Sequence, residues 1–321
     1  MKGKQPKEYK IKIPVYVSEL IDKPMDMFGG ITKLDMIKSI KDKLSTYNDS
    51  VREIKRQRRN KTFEKHIKGI NYDEIELGDT KALLLRITSF NTNYLDGFFE
   101  EEKKIVLTKK AKIGSDNNFI LIYPNIYSLA PEKYRYQWIF LLYEDPNKES
   151  SDVIGTAKIV LKDILNIEVK NIKLNTVIEA LRDAKVTPLV ELKITTLDFD
   201  IEDNYPKLKN YITSRKVKTI DESIYENLPS EDAIDLITFG KNFFRKGYQV
   251  VKRFILGNKE FKITQTYEDA NEKIKEVVEE IYNSETTITE DELQNELYET
   301  DFVLGKLVPI LSQYLNNKDE D

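Results

Sequence analysis

Cysteine is absent from this 321-residue chain, which excludes disulfides, thiolate metal sites and cysteine nucleophiles. Histidine is nearly absent. A single residue, His66, would have to serve any histidine base or any Ser-His-Asp mechanism, and a multi-histidine metal site is excluded. With no second histidine to join it, His66 reads as a surface residue of a charged helix or loop. The chain has no apolar run near the roughly 18 residues that would cross a bilayer. Its N-terminus, MKGKQPKEYKIKIPVYV, carries positive charge without an apolar core or a small-residue cleavage site. A cytoplasmic protein without a signal peptide or membrane contact is expected. Phosphate-loop, GxGxxG, HExxH, EF-hand and GxSxG patterns are all missing, so no cofactor and no metal is implied. The only tryptophan, Trp138, lies in the apolar run YQWIFLLY and reads as core.

What is present is a globular composition: 40% apolar, 33% charged, with 18 Tyr and 14 Phe. The net charge of −4 hides an asymmetry. Residues 1–265 hold 47 Lys/Arg against 39 Asp/Glu, a net of +8; residues 266–321 hold 4 against 16, a net of −12. A basic body with an acidic C-terminal segment is implied.

The densest charge is Val51–Lys68, VREIKRQRRNKTFEKHIK, with eight Lys or Arg against two Glu. Just before it, Ile37, Ile40, Leu44, Tyr47, Val51 and Ile54 recur at steps of three and four, the seam of an amphipathic helix. Carrying that helix to residue 59 puts Arg52, Lys55, Arg56 and Arg59 on one stripe. Such a stripe suits phosphates, since each cation displaces a condensed counterion. Solvated surface charge, the commonest reading of charge on a helix face, or docking on the acidic C-terminal segment would also account for it.

Alternating or continuous apolar runs predict strands at 8–17, 81–90, 103–108, 118–123, 136–143 and 188–199. Lys109, Lys110 and Lys112 extend positive charge into the loop that follows the third of these. Residues 203–230 are polar with little periodicity and mark a domain boundary near 205. Beyond it, 245–264 reads as a hairpin turning at Gly257-Asn258. From Lys241 to Lys262 seven Lys/Arg stand against one Glu, interleaved with aromatics. Lys241, Arg245, Lys246, Lys252 and Arg253 are therefore further nucleic-acid candidates; the alternative is a half-buried hairpin with its aromatics in the core. Tyr267, Ala270, Ile274, Val277 and Ile281 give a second helical seam, Thr289 with Glu292 a capping box, and Leu304, Leu307, Leu311 and Tyr314 a last helix.

The expected fold is α+β. A mostly antiparallel sheet over 1–204 is covered by a long helix at 31–59, and 205–321 forms a smaller, mainly helical part. Three functions follow. The first is a non-enzymatic nucleic-acid-binding or regulatory protein, with nucleic acid or another polyanion as partner. The second is a scaffold whose protein partner, or second copy, docks on the two seams. The third starts from Glu191-Leu192-Lys193 in a strand, which resembles the ExK half of the PD-(D/E)xK nucleases: positions i and i+2 share a face, so a carboxylate and a lysine stand together. That family also needs an upstream Asp, for which Asp152 and Asp163 are nearest and Asp183 falls on a helix. The layout of a sheet-rich half, a basic stretch and a helical end also resembles accessory proteins of phage-exclusion and anti-phage defence systems, with no residue motif to carry over.

Overall fold

The computed structural model describes residues 8–24, 30–49, 54–57, 64–92, 97–100, 103–106, 112–130, 133–143, 153–194, 206–217, 221–238, 249–268, 273–295 and 299–318. The chain forms two compact units, Met1–Val169 with Ser284–Asp321, and Lys170–Asn283. The boundary expected near 205 falls inside the second unit, and 201–205 lie outside the described residues.

In the first unit, β1 (Glu8–Val17) and β2 (Ile21–Pro24) precede α1 (Lys33–Asp49). Then come β3 (Ile54–Gln57), β4 (Glu64–Leu77), β5 (Thr80–Thr92), the small pair β6 (Gly97–Glu100) and β7 (Lys103–Val106), β8 (Lys112–Ala130) and β9 (Lys133–Tyr143). Next is α2 (Val153–Ile159), which runs on as a π-helical turn, Val160–Ile164. The second unit holds α3 (Leu174–Arg182), β10 (Leu189–Ile194), β11 (Ile212–Val217), β12 (Asp221–Tyr225), α4 (Ser230–Thr238), β13 (Gln249–Leu256) and β14 (Lys259–Glu268). β15 (Lys273–Thr289) passes back into the first unit, which closes with α5 (Glu290–Asn295) and α6 (Thr300–Lys318).

The first unit's strand order, from the end of β15, is β15-β1-β9-β8-β5-β4-β3, with β2 also on β9. Its central strands are buried on both faces: Leu83, Leu84 and Leu85, Ile120, Leu121 and Ile122, and Ile139 to Leu142 are all essentially inaccessible. That explains their unbroken apolar runs, since a strand covered on one side only would alternate. The two covers can be told apart by the period of two. Lys41 of α1 pairs with Glu74, whose register partner is Leu83. Arg86, on the other face from Leu83 and Leu85, donates from Nη2 to Thr300 Oγ1 of α6 at 2.6 Å. α1 buries Met36, Ile37, Ile40, Leu44 and Tyr47, as the seam predicts.

Two expectations fail here. The helix expected over 31–59 ends at Asp49, and Ile54–Gln57 is a strand. The acidic seam from Tyr267 to Ile281 is not a helix either: Lys259–Glu268 and Lys273–Tyr282 pair in an antiparallel ladder. With β11 to β15, the described chain after 205 holds more strand than helix. Ile274, Val277, Val278 and Ile281 are β-branched and fit a pleated ladder better than a helix interior, and the ten-residue pairing with β14 decides the outcome.

The second unit's strands run in the order β11-β12-β10-β13-β14-β15, all antiparallel. Val190, Leu192, Phe254, Phe261 and Ile263 face Val177 and Leu181 of α3 and Ala233, Leu236 and Ile237 of α4 in one apolar cluster. The β13–β14 hairpin turns at the expected place. Gly257 has a φ of +57° there, and a positive angle at the first central residue suits glycine in a two-residue turn.

The capping box at α5 is formed. Glu292 N–H donates to Thr289 Oγ1 at 3.3 Å, and Thr289 N–H donates to Glu292 Oε2 at 2.7 Å. The Thr289 N–H also holds the Glu292 carboxyl below its ordinary pKa range. Thr289→Ala is expected to cost about 1 kcal/mol in urea unfolding, because two helix-end donors lose their acceptor or its alignment.

Candidate nucleic-acid interface

Within the basic stretch from 51 to 68, Ile54–Gln57 and Glu64–Ile67 are paired strands at the edge of the sheet. β3 pairs antiparallel with β4 through Ile54↔Ile67, Lys55↔His66, Arg56↔Lys65 and Gln57↔Glu64. β3 stands at the end of the strand order, bonded to β4 alone among the described strands. Lys55 and Arg56 are thus strand neighbours, and a strand sets successive residues on alternate faces. The single helical stripe through Arg52, Lys55, Arg56 and Arg59 is therefore replaced by a ribbon. Arg52 and Arg59 lie outside the described residues. His66 lies in strand β4, in the same pairing row as Lys55 and Phe90.

The end of α1 fixes where this ribbon begins. β4 is irregular between Ile67 and Ile70, where Gly69 takes a φ of +65° that an L side chain would strain. Asn48 fills the gap in the ladder: its Nδ2 donates to Ile70 O at 2.9 Å and its Oδ1 accepts from Ile70 N–H at 3.0 Å. Tyr47 OH donates to Ile67 O at 3.1 Å. Asn48 looks like a helix breaker in the sequence; it is instead a backbone mimic, and only the partner strand reveals that.

The second basic segment is already paired. Lys252 is inaccessible to solvent on the helix-covered face of β13, and its Nζ donates to Ile237 O, in the last turn of α4, at 2.7 Å. Arg253 forks onto Glu260, Nε to Oε1 at 2.7 Å and Nη2 to Oε2 at 2.9 Å, and its Nη1 donates to Glu191. Asn283 Nδ2 donates to Glu260 as well, at 2.6 Å. Burial pushes the Glu260 carboxyl up, but the Arg253 guanidinium and the Asn283 amide outweigh it and hold it below the ordinary range. Phe254 and Phe261 are in the core. On the far side of β14, Glu276, Glu279 and Glu280 stand opposite Gln265, Lys262 and Phe261. Neither Lys252 nor Arg253 presents an open phosphate donor, because Lys252 is held by the Ile237 carbonyl and Arg253 by Glu260 and Glu191. Glu260, the lone acid in the run, was the one signal of this in the sequence. Lys241, Arg245 and Lys246 lie outside the described residues.

Glu191 and Lys193 do share a face of β10, opposite the buried Val190, Leu192 and Ile194. Glu191 is bound to Arg253 and Lys193 lies 3.8 Å from Glu222. Asp163 is in the π-helical turn, Asp183 caps α3, and Asp152 is outside the described residues. The pair is thus engaged in ion pairs across three strands. Among the described residues no group of three His, Cys, Asp or Glu could hold a metal ion.

The scaffold reading loses both seams. The first is buried against its own sheet and the second is a strand. The acidic end of β15 is also far from the edge hairpin: five strands separate β15 from β3, and six spacings of about 4.8 Å make roughly 29 Å. The ion pairs shown from β15 and α5 in this unit run to Lys10 and Lys306. No helix among the described residues is long and apolar enough to cross a membrane. Comparison of the chain with protein-family models, with curated proteins and with solved structures gave no match.

Proposed function

We propose that the protein is a non-enzymatic nucleic-acid-binding or regulatory protein that engages phosphates through the β3–β4 edge hairpin, with Arg52, Lys55, Arg56 and Arg59 among its cations. The observation that carries this is the antiparallel pairing of Ile54–Gln57 with Glu64–Ile67, which puts Lys55, Arg56 and Lys65 in neighbouring strands at the sheet edge. A charged edge also blocks unwanted strand pairing, for which one or two lysines suffice. Eight Lys or Arg within 51–68 exceed that need. A two-stranded ribbon has the width to lie along a groove or to follow a backbone. In the other basic hairpin Lys252 and Arg253 are committed internally, which supports the β3–β4 ribbon as the polyanion surface.

Binding of DNA and RNA across a salt series tests the reading. Affinity is expected to fall with salt, with a log–log slope of about −0.7 to −0.9 per phosphate contact. Lys55→Glu with Arg56→Glu is expected to weaken binding uniformly over sequences and to flatten the slope by about 1–2. Wild-type affinity that ignores salt, or no binding to either polymer, would refute the proposal.

A further inference from the structure

β4 carries one residue more than its neighbour. Ile67 pairs with Ser89 and Ile70 with Ile87 in β5, so Lys68 and Gly69 stand against Thr88 alone. That is a β-bulge, and a bulge changes which residues share a face. Ile67 and Ile70 are three apart, and a regular strand would set them on opposite faces. Here both are buried, at 2% and 1% exposure. Their partners Ser89 and Ile87 share a face with Leu83, whose register partner Glu74 pairs with Lys41 of α1. Both isoleucines therefore fall on the face that α1 covers.

The extra residue sets the phase of the ribbon beyond it. With it, strand positions 54, 56, 65 and 67 fall on the α1 side of the sheet, and 55, 57, 64 and 66 on the other. Without it the two sets exchange. The basic positions Arg56 and Lys65 make one row of the pairing, and Lys55 lies in the next row, on the other face.

Consecutive residues of α1 hold the bulge, one on each flank. On the ribbon side Tyr47 OH donates to Ile67 O; on the other side the Asn48 amide takes both backbone groups of Ile70. Gly69, between them, has a φ of +65°. A Cβ on Gly69 would meet nothing within 4 Å, so the backbone angle alone restricts the residue there.

We infer that Tyr47, Asn48 and Gly69 are positioning residues for the phosphate-binding ribbon: the end of α1 holds the bulge, and the bulge assigns the cations of β3 and β4 to their faces. The inference rests on the nucleic-acid reading above and adds to it three uncharged residues that act through the ribbon's backbone.

Labelled oligo-dT, oligo-U and duplex DNA of about 20 nucleotides are titrated over a salt series, with urea unfolding of each variant alongside. Asn48→Ala is expected to weaken binding of the tightest wild-type probe by about five- to tenfold at roughly 0.1 M salt, and to flatten its log–log slope by about 0.7–0.9, the loss of one phosphate contact. Tyr47→Phe is expected to act in the same direction by less, and keeps the test decisive if Asn48→Ala lowers the melting temperature. Gly69→Val is expected to match Asn48→Ala, because a β-branched side chain resists a positive φ; the conservative Gly69→Asn, which tolerates it, is expected to retain affinity and slope. Thr289→Ala removes a helix cap elsewhere in the same unit and is expected to lower stability without moving affinity or slope. Unchanged binding in both Asn48→Ala and Gly69→Val, with binding lost in Lys55→Glu with Arg56→Glu, overturns the positioning role while the hairpin reading survives. A loss in Thr289→Ala equal to that in Asn48→Ala assigns the effect to general stability and also overturns it. No binding of any probe by the wild-type chain overturns the nucleic-acid reading and this inference with it.

Discussion

Arg253→Met is expected to destabilise the 170–283 unit by about 3–5 kcal/mol at neutral pH, the usual cost of leaving a buried charge without its partner. Methionine keeps the apolar stem, so lost packing contributes little. What is left behind is Glu260, with 4% of its side chain exposed, and beside it Glu191. In the wild-type chain Glu260 sits below the ordinary carboxylate range, because Arg253 and Asn283 outweigh its burial. A depressed folded value stabilises above the unfolded value of about 4.3, and that contribution is lost as pH falls through the folded value. In the variant burial, which raises the group, is opposed by the Asn283 amide and the Lys262 charge without the guanidinium. A raised carboxyl is a penalty at neutral pH, relieved as pH falls through the raised value. The two proteins should therefore differ most near pH 7 and converge toward pH 4. Urea unfolding at both pH values measures this. A difference independent of pH would mean that Glu260 is not what Arg253 serves.

Much of the fold was legible because burial and period agree. Residues 8–17 alternate, and β1 covers those residues. The runs at 81–90, 118–123 and 136–143 are unbroken because helices cover both faces of their sheet, and continuous burial is what an unbroken run signals. The hairpin at Gly257 and the capping box at Thr289 are local, so their chemistry stands in the sequence itself. The errors were made where a local pattern met a distant partner. Ile274, Val277 and Ile281 satisfy a helical spacing, but a strand places two of every four residues on each face, so a 3–4 spacing can also be met by an edge-to-edge ladder. Nothing within 267–281 reveals that 259–268 lies alongside.

The same limit governed the candidate site. The seam from Ile37 to Tyr47 is a helix, but its spacing runs on to Val51 and Ile54 past Asn48 and Asp49, the last residues of α1. The stop is supplied by β4, whose backbone at Ile70 takes the Asn48 amide. Charge alone could not show that Ile54–Gln57 is a strand, because adjacent cations such as Lys55 and Arg56 carry no period of their own. At the second hairpin, charge alone misled. Lys252 and Arg253 are adjacent in sequence and lie on opposite faces of β13, one in the core and one in an ion-pair cluster.

Lys252 carries the second large effect. It is wholly buried, yet it sits where a cation is favoured: its Nζ reaches Ile237 O at the C-terminal end of α4, a helix with no basic residue in its own last turn. The carbonyls there carry the negative end of the helix dipole, and a lysine from the facing strand satisfies them. Lys252→Glu puts an anion against those carbonyls at a position inaccessible to solvent. It is expected to cost more than about 4 kcal/mol and to unfold the 170–283 unit. Lys252→Met separates the two parts of that cost. It removes the charge and its desolvation together and leaves the carbonyl without this donor, for an expected loss of about 1–3 kcal/mol. The order of stability in urea should be wild type, then Met, then Glu, with amide exchange in α4 and β13 accelerating in the same order. A lysine that served phosphate instead would reverse the signature: Lys252→Met would leave stability untouched and lower the affinity for nucleic acid. Unchanged nucleic-acid affinity in a folded but weakened Lys252→Met would place this lysine among the residues that build the unit, and leave binding to the edge hairpin.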